Sequence, residues 1–352
     1  MARIALVTGA AGLVGSTSVR AFAASGEFDF VVGVDNDQRA IFFGASASTL
    51  SVQHELEAEL GAQYLHKSID IRDLDGIKAI FAEFGSDILC VLHAAAQPSH
   101  DWAAKEPLTD FGVNATATVQ LLELTRQHAP QAVFMFTSTN KVYGDLPNAM
   151  PVIDRGLRFD LPGGHPQFEG IDETMPLSPA LHSVFGASKV AADVMVQEYG
   201  QYFGMRTAVF RGGCLTGGAH KGAKLHGFLS YLVRCAATDT PYTIIGYGGK
   251  QVRDNIHALD LAAAFLCFFR KPSCGAVYNI GGGRMSNCSV LEAVQACERK
   301  TGRQMQIHFE EVPRRGDHRW YISDMTRFRA DFPDWQQVWT LDAILDQIFD
   351  AW

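Results

Sequence analysis

Three glycines and one carboxylate give the first chemical clue. Gly9, Gly12 and Gly15 stand in Gly-Ala-Ala-Gly-Leu-Val-Gly, directly after the apolar run 3–8 and at the opening of a helical stretch that contains Leu13 and Val14. Glycine permits a tight turn and lets a phosphate approach the backbone, while the first turn of a helix offers free N–H groups and a partial positive charge. The spacing G-x-x-G-x-x-G is slightly wider than the commonest dinucleotide fingerprint, and its position between strand and helix is what makes it specific. Asp35 lies 20 residues beyond Gly15, at the end of the next apolar run. A carboxylate there accepts hydrogen bonds from the adenosine ribose and repels a 2′-phosphate. The pattern therefore implies a bound dinucleotide, NAD in preference to NADP.

Such a site needs a sheet behind it. Residues 3–8, 29–34, about 63–69, 87–93 and 132–138 are short, almost wholly apolar runs that read as buried strands. Residues 13–24, 50–60, a stretch around Ile77, Ile80 and Phe81, and 107–128 carry helical spacing between them. This alternation predicts an α/β fold, a doubly wound parallel Rossmann sheet with a smaller C-terminal α/β lobe for the substrate. The expected division is 1–180 for the dinucleotide-binding domain and 181–352 mainly for the lobe, with strands near 207–215 and 276–280 returning to the first sheet. Residues 145–179 are rich in Pro and Gly without a clear period, and 189–203 read as a helix. A loop of that length inside a domain is usually functional, and together with 223–235 it is the expected wall of the substrate pocket.

Composition narrows the class. The chain has 352 residues, 47% hydrophobic and 19% charged, too apolar for disorder and too long for one small core. A net charge of −8 argues against a nucleic-acid partner. Seven cysteines stand apart with no C-x-x-C pair, so neither a disulfide framework nor a metal site is expected, and a reducing, cytoplasmic setting follows. The N-terminus enters its first strand at once, with no sign of a signal peptide or membrane span.

Taken together, GAAGLVG (9–15), Asp35, DIRD (70–73), HAAAQ (93–97), Asn114, TSTNKVYGD (137–145), FGASK (185–189) and RDNIHALDL (253–261) resemble the extended short-chain dehydrogenase/reductase family of nucleotide-sugar epimerases and dehydratases over essentially the whole chain. TSTNKVYGD, GIDET (170–174) and GKQVRD (249–254) are most similar to its CDP-paratose 2-epimerase branch. The resemblance implies NAD held by Gly9, Gly12, Leu13, Val14, Gly15, Asp35, Asp70, Ile71, Ala94, Ala95, Ala96, Asn114 and Lys189. It implies a nucleotide-diphosphate sugar held by Gln97, Thr139, Asn140, Arg253, Arg314 and Asp317. Arginine suits the diphosphate because its planar fork binds phosphate at two points. Asn114 is read as a bridge between helix and active-site backbone, and His257 and Asp260 as locks on their turn. The resemblance further implies a homodimer through residues 103–128 and 186–203.

In that family a tyrosine four residues before a lysine takes the hydroxyl proton while a hydride leaves the same carbon. Thr139 matches the serine or threonine that assists, and Lys189 matches the lysine. Position 185 is Phe185. A phenyl ring can neither donate nor accept a proton, and loss of a general base typically lowers a rate by on the order of 10²–10⁴. The implied epimerase is therefore inactive or slowed. Two explanations stand side by side: a deliberate Tyr→Phe replacement, favoured by the retention of every other functional position, or native loss or rerouting of the chemistry. His182, read as one turn earlier on the same helix, His100 and Lys141 are candidate substitutes, though a bland polar role suits each. Where dehydratases carry acids, this chain has Asn140 and Lys141, which argues for epimerisation. A dehydrogenase or decarboxylase of the same fold and a silent nucleotide-sugar-binding protein are the alternatives.

Overall fold

The computed structural model describes residues 2–218 and 227–351. Five consecutive buried residues make β1 (Ile4–Thr8), and the glycine loop carries the chain into α1 (Leu13–Ala24). There follow β2 (Phe30–Val34), α2 (Gln38–Phe43), α3 (Leu50–Leu60), β3 (Tyr64–Lys67), α4 (Leu74–Phe84) and β4 (Ile88–His93). Next come α5 (His100–Lys105), α6 (Pro107–Phe111), α7 (Ala117–His128) and β5 (Val133–Thr139). The single helix expected over 107–128 is interrupted, because Gly112–Thr116 is a π-helical segment. The extra residue in that turn widens the helix locally, as π-segments do near functional sites, and the segment carries Asn114.

A short hairpin of β6 (Ile153–Asp154) and β7 (Phe159–Asp160) precedes α8 (Val184–Phe203). Ser183 caps α8 by accepting from the Gly186 amide at 3.1 Å, so the helix begins five residues earlier than the spacing predicts. His182 therefore precedes the helix and is not on it. The chain continues through β8 (Arg206–Gly212), β9 (Cys214–Thr216), α9 (Phe228–Ala237), β10 (Tyr242–Ile245), β11 (Val252–His257), α10 (Ala258–Arg270) and β12 (Ala276–Ile280). It ends with β13 (Asn287–Ser289), α11 (Val290–Thr301), β14 (Ile307–Glu310), β15 (Trp320–Tyr321), α12 (Thr326–Asp331) and α13 (Leu341–Asp350).

The central sheet has the order β12-β8-β5-β4-β1-β2-β3, with every pair parallel. Its strands alternate between two cores. Ala5 and Val7 face one that includes Phe22, Phe210 and Phe265, while Ile4 and Leu6 face another that includes Leu121, Phe134 and Val196. Burial on both faces is why these strands are apolar throughout. The order reverses between β1 and β4, and ligands of open α/β sheets sit outside the carboxyl ends of the strands at such a switch point.

The smaller lobe is organised on β11, which pairs with β9, β13 and β15. A third core joins α9, α11 and α13 through Leu232, Val294 and Leu345. Of the later strands, β8 and β12 pair within the large sheet, whereas β9 pairs with β11 in the lobe. The stretch before residue 180, however, packs on the lobe: Met150, Leu161 and Ile171 share a core with Val252, Trp320 and Ile322. A division at 180 thus cuts through a core, and the crossing into the lobe falls nearer 145.

Candidate functional site

One cleft of about 450 Å³ runs from the switch point of the sheet to the small lobe and takes residues from both. At its first end lie Gly9, Gly12, Leu13, Val14, Gly15, Asp35, Asp70, Ile71, Ala94, Ala95 and Ala96. The three glycines are there for different reasons. Gly9 has φ +67°, and a Cβ on it would lie 2.8 Å from the Ala95 amide nitrogen. A Cβ on Gly15 would lie 2.0 Å from the Gly9 carbonyl oxygen, so this glycine lets helix and loop close together. A Cβ on Gly12 would meet only the Gly9 oxygen, at 3.3 Å, and its absence leaves room in the cleft. Gly12 is also the N-cap of α1 and supplies no side-chain cap, so the helix start is left for a ligand.

Asp35 accepts from the Ala11 amide at 3.0 Å and the Asp37 amide at 2.9 Å. Burial raises its carboxyl above the ordinary range, against the pull of those two N–H groups. Asp70 accepts from Gln38 Nε2 at 3.1 Å and from Arg72 Nη2 at 2.6 Å. These groups fit the phosphate and ribose ends of a dinucleotide.

Thr139, Phe185 and Lys189 line the same cleft. Thr139 ends β5, and its Oγ1 accepts from the Lys141 amide at 3.3 Å. Lys189 Nζ donates to the Thr137 carbonyl at 2.8 Å and lies 4.0 Å from the centre of the Phe136 ring. Burial pushes its amine down to about 7, although Asp193 and Asp110 oppose the shift. Phe185 stands four residues before Lys189 on α8, buried, with its ring edge-on to His100 at 5.0 Å between centres. His100 Nδ1 is 2.6 Å from Ser183 Oγ. His182 does not line the cleft; its Nε2 is 2.7 Å from the Val142 carbonyl oxygen.

At the far end, Asn140, Arg253, Arg314 and Asp317 line the cleft, with Lys141 and Arg315 beside them. Arg253 Nη2 donates to Asp317 Oδ1 at 2.5 Å, and Lys141 Nζ reaches the same oxygen at 3.5 Å and the Gly316 carbonyl at 3.0 Å. Burial alone would raise the Asp317 carboxyl, but Arg253 and Lys141 outweigh it and hold it well below the usual range. Arg314 Nε stands 3.8 Å from Asp101.

Two expected site residues stay outside the cleft. The Gln97 amide is consumed within the protein: its nitrogen donates to the Ser99 carbonyl and Asp110, and its oxygen accepts from the Ser99 amide at 2.6 Å. Asn114 accepts from the Gln97 amide at 3.0 Å and donates to the Gln97 carbonyl, Asp110 and Ser188. It bridges helix and backbone, and contact with a cofactor is not what its position offers. His257 accepts from the Leu259 amide as the cap of α10, and Asp260 accepts from the Val338 and Trp339 amides, so both lock structure. The expected wall at 145–179 is also absent among the described residues, because that stretch spends its apolar side chains on the lobe core. Phe228, Leu229 and Tyr231 do line the cleft, whereas 223–226 lie outside the described residues. The walls the spacing missed are 212–216 and Tyr242–Ile245. The alternation of Tyr-Thr-Ile-Ile was a usable strand signal for the second.

A model of the NAD dependent epimerase/dehydratase family matches residues 5–281. The chain is 30% identical to CDP-paratose 2-epimerase of Salmonella typhi over 340 residues, covering 94% of this chain and 93% of that one. It is 28% identical to human UDP-glucose 4-epimerase over 335 residues, 90% of this chain and 86% of the relative. Among solved structures, UDP-glucuronic acid 4-epimerase of Bacillus cereus superposes with a TM-score of 0.79 at 23% identity, over 99% of this chain and 98% of that one. The protein belongs to the NAD dependent epimerase/dehydratase family, and its cofactor is NAD.

Proposed function

We propose that this protein is an epimerase of a nucleotide-activated sugar and that Phe185 slows it by removing the phenol. The observation that supports this is the division of one cleft into two anion sites, a helix start behind the glycines and an Arg253–Lys141–Asp317 cluster, with Thr139 and Lys189 between them. NAD, when bound, supplies the acceptor and donor of a hydride. The protein's own part is to hold and orient. Arg253, with Arg314, takes the diphosphate; Asp317 and Asn140 bound the sugar end; Thr139 Oγ1 donates to the reacting sugar oxygen. Lys189 anchors the nicotinamide ribose. The likeness to CDP-paratose 2-epimerase and the non-acidic pair Asn140-Lys141 favour epimerisation over loss of water. Leu108 and Phe111 on α6, and Tyr202 and Phe203 on α8, expose apolar surface that supports pairing of two copies there. Among the described residues no helix is long and apolar enough to cross a membrane.

The test is to restore the phenol. Phe185→Tyr should raise the rate at which epimers of a bound CDP- or UDP-hexose equilibrate by about 10²-fold, with affinity by calorimetry unchanged. Phe185 itself favours a second reading, a nucleotide-sugar-binding protein without turnover. Tight binding with no epimer formed by either form would replace the first reading with the second.

A further inference from the structure

We propose that Lys141 is the group that takes and returns the hydroxyl proton in this chain, in place of the phenol missing at position 185. The proposal rests on the epimerase reading above and deepens it. Among the described residues, His182, Lys189, His100 and Lys141 are the candidate proton carriers, and all four are hydrogen-bonded. What separates Lys141 is that its partners, Gly316 and Asp317, would also hold the ammonium it forms. His182 lies off the cleft, on the Val142 carbonyl. Lys189 Nζ is held on the Thr137 carbonyl under the Phe136 ring. His100 shares Nδ1 with Ser183, and burial with the cation of Lys141 pushes its imidazole down to about 3, too weak to hold a proton near neutrality.

Lys141 differs in place and in chemistry. Its amide donates to Thr139 Oγ1, the hydroxyl that meets the substrate oxygen. Its carbonyl oxygen would lie 3.0 Å from a Cβ on Gly186, so residue 141 abuts the neighbour of Phe185. Its Nζ hangs on the Gly316 carbonyl, and Gly316 in turn lies against the His100 ring that faces Phe185. The amine thus lines the same cleft as Phe185 and is linked to that ring through Gly316 and His100. Burial pushes it down to about 8, with Asp317 opposing and Arg253 assisting. The charged and titratable groups facing it are Asp317, Arg253, Cys214, His100 and His318.

An amine that titrates there is neutral in part of the population and can act as a base, and its ammonium can act as an acid on the return. In the forward step the sugar O–H proton passes to the Nζ lone pair while the C–H electron pair leaves the same carbon as hydride to NAD⁺. The C=O bond forms. The new ammonium is met by Asp317 and the Gly316 carbonyl, and the return runs each transfer backwards.

The test compares the full chain as it stands with Lys141→Met and Lys141→Arg, each measured both with Phe185 in place and in the Phe185→Tyr background. A panel of CDP- and UDP-hexoses serves as substrate, and competitive acetylation read by peptide mass spectrometry titrates Lys141 without added sugar. The expected results are titration near 8 against about 10.4 for an ordinary lysine, and a turnover rate that rises with pH through that value. Lys141→Met and Lys141→Arg should each lower turnover about 10²-fold with Phe185 in place, but less than about tenfold in the Phe185→Tyr background, where a phenol carries the proton. Lys141→Arg keeps the charge beside Asp317, so nucleotide-sugar affinity should hold while the rate falls. Equal losses in both backgrounds would make Lys141 a binding residue and overturn the assignment, as would an ordinary titration. A chain that is inert with Phe185 and becomes active on Phe185→Tyr overturns Lys141 and leaves the epimerase reading standing. Inert forms that bind no nucleotide sugar overturn both.

Discussion

The two ends of the cleft are built on opposite plans. At the glycine loop the protein uses backbone: an uncapped helix start and a glycine whose missing side chain leaves space. At the small lobe it uses side chains, with Arg253 and Lys141 both turned on Asp317. Backbone dipoles are fixed and need no counter-charge when the site is empty. Buried cations do need one, because an unpaired charge out of water is costly. Asp317 is that internal counter-ion, and on the proposed reading a diphosphate would compete with it for Arg253. On the proposed reading the small-lobe end would exchange one counter-ion for another on binding, and the glycine end would not rely on such a pair.

The sharpest way to test this contrast is to remove the cation. Arg253→Ala should weaken binding of UDP or CDP by roughly 2–5 kcal/mol, since it strips a buried hydrogen-bonded charge pair, while calorimetry finds NAD affinity unchanged. Equal loss for both ligands would mean that the two ends are not independent. The converse change, Gly15→Ala, places a Cβ against the Gly9 oxygen and should cost about 1–3 kcal/mol in NAD affinity and thermal stability through overpacking. Binding of UDP should survive it. The smallest effect concerns selectivity within the backbone end. Asp35→Ala should narrow the preference for NAD over NADP by about 1.4 kcal/mol, a tenfold change, helped by Arg39 on the same rim. An unchanged ratio of the two dissociation constants would assign the discrimination to another group.

The same contrast governs how much could be read from the chain alone. The dinucleotide end is contiguous, so Gly9 to Gly15 and Asp35 report it by spacing, and all-apolar runs report the strands beneath. The substrate end is assembled from segments far apart: Arg253 meets Asp317 across 64 positions, and Lys141 meets it across 176. No local pattern encodes such a meeting, and the neighbours of Lys141 in the chain carry no sign of Asp317. Gln97 shows the opposite error. It sits in a phrase that suggests a ligand contact, yet its amide is fully occupied by Ser99 and Asp110. The early start of α8 was missed because its signal is one serine, and the interrupted helix because a π-turn leaves the 3.6-residue period almost intact on either side.

The bridge made by Asn114 has a consequence for how this site can change. Together with Asp110 and Ser188 it ties α8 to the loop after β4 from behind, through bonds that never touch the ring at 185. The backbone at position 185 is thus anchored independently of the ring it carries, which meets His100 instead. On the proposed reading, adding one oxygen atom there would alter the reaction and leave these bonds in place.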